Sequence, residues 1–379
     1  MRVRIEIVEL LSKLIAIDSV NPSLVAGGAG EGEIAAFVAA WASEAGLEAD
    51  VLERTPGRPS VVVRARGRGE GPTLLLCGHL DTVTVEGMRE AHTPRIDSDR
   101  LHGRGAYDMK AGLAAALIAC REAASVGLAG DVVVAAVADE EHASLGIQEV
   151  LATLRADAAI VTEPTELELV VAHKGFVWSE IEVTGRAAHG SRPHLGIDAI
   201  VKAGPILSAI GALDQRLGER AHPLLGRGSV HASVIEGGEE LSSYPARCAL
   251  KLERRTLPGE GADDVEGELA SILDSCRAAD PELAAQQRTL LVREPFEVAE
   301  DAPIVGLVRD AAAAELGEPP PIGGASYWAD AAFIAAAGIP TVMLGPGGEG
   351  AHAAEEWVSV SDTEAVARVL IAVARRLCS

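Results

Sequence analysis

Short apolar runs punctuate the first part of the chain. Residues 60–63, 73–78, 131–137 and 158–162 are dominated by Val, Leu, Ile and Ala, a composition typical of strands that are buried on both faces. The alanine-rich stretch 111–126 is longer than these runs and predicts a helix. The order strand, helix, strand predicts a βαβ unit and therefore a mostly parallel sheet.

The pattern changes in the middle of the chain. Residues 177–184, 229–235 and 248–254 alternate apolar with polar side chains, as antiparallel strands with one solvated face do. Residues 197–213 and 263–279 repeat apolar positions at helical spacing and predict two helices. This part of the chain therefore predicts a compact α+β insert.

The two ends of the chain also carry elements of the α/β pattern, namely helices and a further buried strand. Helical spacing predicts helices at 4–17, 31–46 and 363–377, with a further helix starting near Pro303 and a buried strand at 340–344. We therefore predict an α/β fold, in which helices flank a mostly parallel mixed sheet.

The insert makes this first domain discontinuous. The predicted boundaries are 1–175 and 291–379 for the first domain and 176–290 for the insert. The length of 379 residues also suits two domains.

Composition and charge exclude several classes of partner and of cellular location. The chain has 33 Lys+Arg against 56 Asp+Glu, a net charge of −23, and this excess of acid argues against nucleic-acid and anionic-membrane partners. The five cysteines form no CxxC pair, which favours free thiols in a reducing compartment. Glu6 and Glu9 interrupt the first apolar stretch, unlike a signal peptide. We expect a cytoplasmic protein without a membrane span.

Candidate chemistry follows the predicted strands. His79 and Asp81 come directly after the run 73–78, Asp139-Glu140-Glu141 after 131–137, and Glu163 after Ala158–Val161. Ligands in open α/β sheets bind at the carboxyl ends of the strands. Adjacent carboxylates at one such edge repel each other unless cations or protons compensate.

Two further residues lie in glycine-rich loops. Asp108 follows Gly103 and Gly105 just before the helix 111–126, and His352 follows the stretch 345–350. Each signal has an ordinary structural alternative: a strand-end histidine in a turn, an aspartate that caps a helix, or a solvated acidic loop. Their coincidence is more informative than any one of them.

The combined residue set indicates a metal centre. Two imidazoles and several carboxylates without thiolates suit Zn²⁺, Mn²⁺ or Co²⁺. Two cations that share a carboxylate form the binuclear site of aminopeptidase-type hydrolases, and a carboxylate left over can serve as a general base. The sequence has no GxSxG, GxxxxGK[ST] or HExxH motif for a competing chemistry.

In these residues the chain resembles the dizinc deacylase and exopeptidase family that includes acetylornithine deacetylase, succinyl-diaminopimelate desuccinylase, aminoacylase and carboxypeptidase G. The matching motifs occur in the family's order: HxDTV at 79–83, GRGxxDMKGG at 103–112 with Ala111 in place of one Gly, DEE at 139–141, EP at 163–164, and Hx₃E as His352 with Glu356.

The resemblance implies a ligand for each metal position. Asp108 would bridge two divalent ions, His79 and Glu163 would complete one site, and Glu141 and His352 the other. Zinc is the expected metal, with cobalt and manganese as alternatives, because the ligands do not separate these ions.

The resemblance also implies roles around the metals. Glu140 would be the general base for the attacking water, and Asp81 would orient His79. The family often has a cis peptide bond after its bridging aspartate, which predicts one between Asp108 and Met109.

The insert carries two more matches. The segment 185–193 resembles the family's GxxxHxxxP, so His189 would help to hold the oxyanion in the partner subunit's site. The segment 253–259 resembles D-x-R-x-x-P-G, so Arg255 would bind the substrate α-carboxylate. A surface-turn histidine and a strand-end surface arginine are the structural alternatives.

One departure from the family concerns Tyr327-Trp328-Ala329-Asp330. Carboxypeptidase G-like members have Gly-Gly-Thr-Asp at this point, whereas this chain has two of its few aromatic residues. Tyr327 and Trp328 would shape the acyl or side-chain pocket, with core packing as the alternative. The departure argues against a folate-type substrate.

The resemblance thus implies a homodimeric metal-dependent amidohydrolase. Its first domain would be a zinc-exopeptidase-like catalytic domain, and its insert a dimerisation and lid domain. The expected reaction is hydrolysis of an N-acyl amino acid of the acetylornithine or succinyl-diaminopimelate kind. The alternative is a metallo-carboxypeptidase or dipeptidase that acts on short peptides, and a remote alternative is a non-catalytic binding protein on the same fold.

Overall fold

The computed structural model describes residues 2–379, which form two compact units. The first comprises the chain up to Val171, Val298–Gly323 and Ala329–Ser379, and the second comprises Ala172–Glu297 and Gly324–Trp328. These boundaries lie four and seven residues from the predicted 175/176 and 290/291, and Gly324–Trp328, which falls inside the predicted segment 291–379, belongs to the second unit. The difference arises because the paired strand ends at 172–173 and 296–297 belong to the second unit.

The helices of the described chain are α1 (Arg2–Ala16), α2 (Gly32–Glu44), α3 (Ala111–Val126), α4 (Leu145–Leu151), α5 (Ala199–Leu217), α6 (Ala262–Ala279), α7 (Pro303–Leu316), α8 (Ala331–Ala336) and α9 (Val360–Leu377). The strands are β1 (Glu48–Leu52), β2 (Ser60–Ala65), β3 (Gly71–His79), β4 (Arg95–Asp97), β5 (Arg100–His102), β6 (Gly130–Val137), β7 (Ala158–Val161), β8 (Leu169–His173), β9 (Gly175–Thr184), β10 (Ala221–His222), β11 (Gly226–Arg227), β12 (Ser229–Gly237), β13 (Arg247–Thr256), β14 (Ala284–Arg293), β15 (Phe296–Glu297), β16 (Ile322–Ala325), β17 (Thr341–Met343), β18 (Gly348–Glu349) and β19 (Trp357–Ser359).

The first unit is built on a mixed sheet in the order β1-β2-β6-β3-β7-β17-β8. The strands β6, β3, β7 and β17 run parallel to one another, whereas β1, β2 and β8 pair antiparallel with their neighbours. Its central strands are buried along nearly their whole length. This architecture confirms the predicted α/β fold, in which helices flank a mixed sheet, and the parallel pairs lie at the centre of that sheet.

The predicted βαβ unit is present as β3, α3 and β6. The helix α3 is buried over most of its length and ends at Gly127, whose φ of 69° is a left-handed conformation that glycine adopts without steric cost. The strands β3 and β6 pair in parallel from Leu74 opposite Val132 to His79 opposite Val137. His79 and Val137 therefore end side by side at one edge of the sheet.

The second unit has a four-stranded antiparallel sheet in the order β12-β13-β9-β14. Its hydrophobic core joins one face of this sheet to α5 and α6, through residues such as Ile181, Leu250, Ile206 and Leu269. The helix α5 begins where the Asp198 carboxylate accepts the first free N–H groups. None of the helices within residues 2–379 is long and apolar enough to cross a membrane.

Candidate metal centre

Several candidate residues of the first unit lie at the carboxyl ends of three adjacent strands. His79 is the last residue of β3, the acidic segment 139–141 follows β6, and Glu163 follows β7. Because β6, β3 and β7 are parallel neighbours, their carboxyl ends share one edge of the sheet. The sheet topology thus brings together side chains from distant parts of the sequence.

Asp108 presents one carboxylate oxygen to each candidate histidine. Its Oδ1 lies 3.1 Å from Nε2 of His79, and its Oδ2 lies 3.2 Å from Nε2 of His352. The same His352 nitrogen lies 3.1 Å from Oε2 of Glu141. The peptide bond between Asp108 and Met109 is cis, as predicted. This is the arrangement expected of a carboxylate shared between two ligand groups.

Two overlapping groups of donor atoms are close enough to share an ion. His79, Asp108 and Glu141 form one group, and His79, Glu140 and Glu163 form the other, each with its donor atoms within 4.8 Å of one another. His79 and Glu163 are buried, whereas the ring of His352 is 54% exposed. One side of the cluster is therefore enclosed by protein and the other faces outward.

Burial and like charge oppose ionisation of the carboxyl groups in this cluster. Burial raises the pKa of Glu140, and the charge of Glu163 raises it further. Burial also raises the pKa of Glu163 and of Glu141. The pKa of Asp108 moves the other way, because hydrogen bonds from the two imidazoles outweigh its burial. Hydrogen bonds to Asp108 and Glu141 raise the pKa of His352 to about 10.

This set of residues fits a pair of divalent cations. The carboxylates outnumber the imidazoles, and their pKa shifts show that the pocket disfavours further negative charge. A cation would compensate this repulsion. The donors are oxygen and imidazole nitrogen without thiolate sulfur, which suits zinc, cobalt or manganese.

Asp81 lies behind the cluster and is fully buried. Its backbone oxygen is 2.9 Å from Nδ1 of His79, whereas its carboxylate Oδ1 is 3.7 Å from the same nitrogen. The carboxylate accepts the backbone N–H groups of Glu140 at 3.1 Å and Glu141 at 3.2 Å. Asp81 therefore contacts both the histidine and the acidic segment, through different atoms.

Glu356 organises the loop that carries Asp108. This buried carboxylate accepts the backbone N–H groups of Gly105 at 3.0 Å, Tyr107 at 2.8 Å and Asp108 at 3.0 Å. Arg104 neutralises it through a contact of 2.7 Å. The Hx₃E motif alone predicts no role for Glu356, because the partners of this carboxylate lie about 250 residues away in the sequence. Its one sequence signal is that motif, four residues after His352.

Two glycines allow the backbone of Glu163 to lie where it does. A Cβ on Gly112 of α3 would stand 1.8 Å from the backbone oxygen of Thr162. A Cβ on Gly345 would stand 1.9 Å from the backbone oxygen of Glu163. Both distances are far below any real Cβ contact, so a side chain at either position would displace the end of β7.

The predicted residues of the insert lie in the second unit. His189 is exposed and forms an isolated antiparallel bridge with Ser243, and its Nδ1 contacts Oγ of Ser191 at 2.8 Å. Arg255 lies on β13, donates to Glu253 at 2.7 Å, and places its Cζ 5.0 Å from the ring centroid of Phe176. The His189 imidazole and the Arg255 guanidinium are both accessible to solvent, and their functional roles stay predictions.

The two aromatic residues at 327–328 differ in their surroundings. Tyr327 is 38% exposed. Trp328 meets the ring of Phe176 edge-on at 6.5 Å and donates from Nε1 to the backbone oxygen of Glu294 at 3.0 Å. The indole therefore has a packing role inside the second unit, and Tyr327 is the more accessible of the two.

The chain is similar to known proteins in sequence and in fold. The family model described as Peptidase family M20/M25/M40 matches residues 75–376. An acetylornithine deacetylase of Vibrio atlanticus (strain LGP32) is 29% identical over 387 residues, which cover 98% of each chain. The crystal structure of aminopeptidase PepT from Bacillus cereus has the same fold, with a TM-score of 0.82, 20% identity and 99% of each chain covered.

A further solved structure is YXEP of Bacillus subtilis, which is described as a dinuclear metal binding peptidase from the M20 family. It aligns with a TM-score of 0.76 at 15% identity and covers 100% of this chain and 99% of its own. At this identity the likeness shows the fold alone. The family match spans most of the chain, including every candidate metal ligand. The chain therefore belongs to peptidase family M20/M25/M40 and is a hydrolase of that family.

Proposed function

We propose that this protein hydrolyses the amide bond of an N-acyl amino acid, as acetylornithine deacetylase and succinyl-diaminopimelate desuccinylase do. One observation carries the chemistry: the two oxygens of Asp108 each face a different imidazole, His79 and His352. The substrate class is supported by relatives named acetylornithine deacetylase, which match over nearly the whole length of both chains.

The five ligands would hold two divalent ions. His79 and Glu163 would hold one, Glu141 and His352 the other, and Asp108 would contact both. Zinc is the metal we propose, although cobalt or manganese would suit the same donors. When bound, such ions polarise the scissile carbonyl and make water acidic enough to attack at neutral pH.

Glu140 moves the proton in this proposal. Its carboxylate lies in the donor group with His79 and Glu163, and burial favours its protonated form. A carboxylate in this environment can accept a proton from the attacking water and return it to the leaving amine. Asp81 keeps Glu140 in place through the backbone N–H that it accepts.

We assign substrate contacts to the second unit. His189 would donate to the oxyanion that develops on the scissile carbonyl in the partner subunit's site, and Arg255 would bind the α-carboxylate of the amino acid. Tyr327, which is the more exposed aromatic residue, would contact the acyl or side-chain group, and Trp328 would support it. A polar and charged set of this kind recognises a small ionic substrate.

We also propose a homodimer formed through the second unit. The strand β12 is the edge of its sheet and is exposed along most of its length. Ile235 on this strand is 55% exposed and Val201 on α5 is 68% exposed, which is unusual for aliphatic side chains. Light scattering on Val201→Glu and Ile235→Lys would test this, since a monomeric wild-type protein contradicts it.

A substrate panel with the zinc-loaded protein tests the proposed function. The panel contains N-acetylornithine, N-succinyl-diaminopimelate, N-acetylmethionine, a folyl-glutamate analogue and several dipeptides, with Glu140→Gln as the inactive control. Preference for one acylated amino acid supports the proposal. Cleavage of the dipeptides instead would make the enzyme a carboxypeptidase or dipeptidase. Silence across the panel with two metals bound would refute the substrate class.

A further inference from the structure

The chain contains one asparagine, Asn21, and it is fully buried beside the candidate metal centre. Its Nδ2 lies 2.8 Å from Oδ2 of Asp81 and 3.0 Å from Oδ1 of Asp139. A primary amide nitrogen has two N–H donors. With one carboxylate before each donor, the Asn21 side chain bridges two buried acids.

The rest of Asn21 is equally well bonded. Its backbone N–H donates to the carbonyl of Thr82 at 2.9 Å, and its Oδ1 accepts the backbone N–H of Ser23 at 2.9 Å. These contacts tie the loop after α1 to the segment after β3. They also fix the orientation of the amide, because the NH₂ group faces two acids and the oxygen faces an N–H donor.

The two bridged acids hold the segment that carries Glu140 and Glu141. Asp81 accepts the backbone N–H groups of both residues. Asp139 precedes them and has a φ of 66°, a left-handed conformation that is uncommon for a residue with a Cβ. Glu140 and Glu141 thus lie in a turn that is held by Asp81 and Asp139, and the Asn21 amide bonds both of these acids.

Charge in this network is not evenly compensated. Arg58 contacts Glu31 at 2.6 Å and Asp139 at 2.7 Å. Asp81, by contrast, is bonded chiefly to neutral donors, namely Asn21 and the backbone of 140–141. A buried carboxylate that loses a donor pays the cost of its lost hydration. Asn21 supplies such a donor to Asp81 and to Asp139 at once.

We propose that Asn21 is a positioning residue, whose amide bridges Asp81 and Asp139 and thereby sets the direction of Glu140 and Glu141. It contacts neither a candidate metal ligand side chain nor the general base itself. Its influence on turnover rests on the function proposed above, whereas the bridge itself can be measured without any substrate.

Two substitutions at Asn21 separate this role from simple space filling. Asn21→Asp keeps the shape but turns the donor into a third carboxylate that faces two others, whereas Asn21→Ala removes the donor without adding charge. We expect both to lower kcat and the affinity for zinc by about 10–100-fold, with Asn21→Asp the more damaged and KM within threefold of wild type. A residue that merely fills space predicts the reverse order, since aspartate preserves the volume.

Two control variants accompany the pair. Leu24→Ala shortens an exposed side chain of the same loop and leaves both Asn21 donors in place. Thr363→Val removes a buried hydroxyl of α9 that donates to the Ser359 carbonyl, and so controls for loss of stability. We expect both to keep kcat within threefold of wild type. A folded Asn21→Asp protein with wild-type kcat and zinc affinity would overturn the proposal.

A direct measurement covers the case in which the variants do not fold. Labelling wild-type protein with [¹⁵N]asparagine gives a single side-chain NH₂ signal, because the chain has one asparagine. Both protons should exchange with water at least 100-fold more slowly than those of free asparagine. Unprotected protons would overturn the bridge. Protected protons together with a silent substrate panel would uphold the bridge and refute the proposed substrate class.

Discussion

The two units hold their candidate functional residues in different ways. In the first unit, Asp108 faces both imidazoles from a loop, and the buried carboxylate of Glu356 accepts the backbone N–H groups of that loop. In the second unit, His189 and Arg255 are solvent-accessible and bond to neighbours two residues away. The first arrangement fixes atoms before any ligand arrives, whereas the second leaves side chains able to adjust.

This difference has a functional meaning under the proposed mechanism. Metal ligands and a general base need positions that are held to fractions of an ångström, and buried hydrogen-bond partners provide that. Groups that recognise a substrate must also let it enter and leave. Substitutions in the first unit should therefore lower turnover and metal content. Substitutions in the second unit should have smaller effects, mainly on substrate recognition.

Asp108→Asn should have the largest effect. An amide has one oxygen in place of two. An NH₂ group, which cannot bind a cation, would therefore replace one of the two oxygens that face the imidazoles. We expect loss of one or both metals and activity below detection, as measured by elemental analysis and by turnover. Asp97→Asn, at an exposed aspartate of β4, is the matched control. Two tightly bound metals in Asp108→Asn would refute the shared role.

Glu140→Gln should retain its metals and lose turnover by about 10²–10⁴-fold, the usual contribution of a general base. The neighbouring Glu141→Gln is the comparison, because it removes a proposed ligand and should lower metal content. Both effects are read from zinc stoichiometry and kcat. If Glu140→Gln loses zinc and Glu141→Gln keeps it, the two roles have been exchanged.

His189→Ala tests whether an accessible residue can still matter for chemistry. As an oxyanion donor it should lower kcat by about 10²–10³-fold with metal content unchanged. His194→Ala, at an exposed histidine of the same loop, is the control and should stay near wild type. A change in kcat under threefold for His189→Ala would assign it to the surface turn alone.

Arg255→Ala should have the smallest effect and should show it in binding. The loss of a hydrogen bond to a charged group costs about 1.5–3 kcal/mol, so KM should rise about 10–100-fold with kcat little changed. Arg247→Ala removes an exposed arginine from the same strand and serves as the control. A drop in kcat at constant KM would give Arg255 a role in the reaction itself.

The sequence predicted the elements that carry strong local signals. The alanine-rich stretch 111–126 predicted α3 with the bounds that the structure shows. The buried runs predicted β3, β6 and β7, and the rule for strand ends then placed His79 and Glu163 at one edge. The strand β14 escaped prediction because most of its first residues are polar, and α4 because seven residues are too few to show a helical period.

The partners of the site residues could not be predicted in the same way. Glu356 bonds Arg104 across 252 residues, and Asn21 bonds Asp139 across 118. Such pairs depend on which strand ends become neighbours, and that order is a property of the whole sheet. Motif spacing can therefore name ligands, whereas the residues that hold those ligands emerge from the fold.

The close approaches at Gly112 and Gly345 have a consequence for the evolution of the site. Both positions leave no room for a single methyl group against the backbone of Thr162 and Glu163. A library randomised at these two codons should return glycine almost alone among active clones. These two positions are thus closed to substitution, and changes in specificity would have to arise elsewhere in the chain.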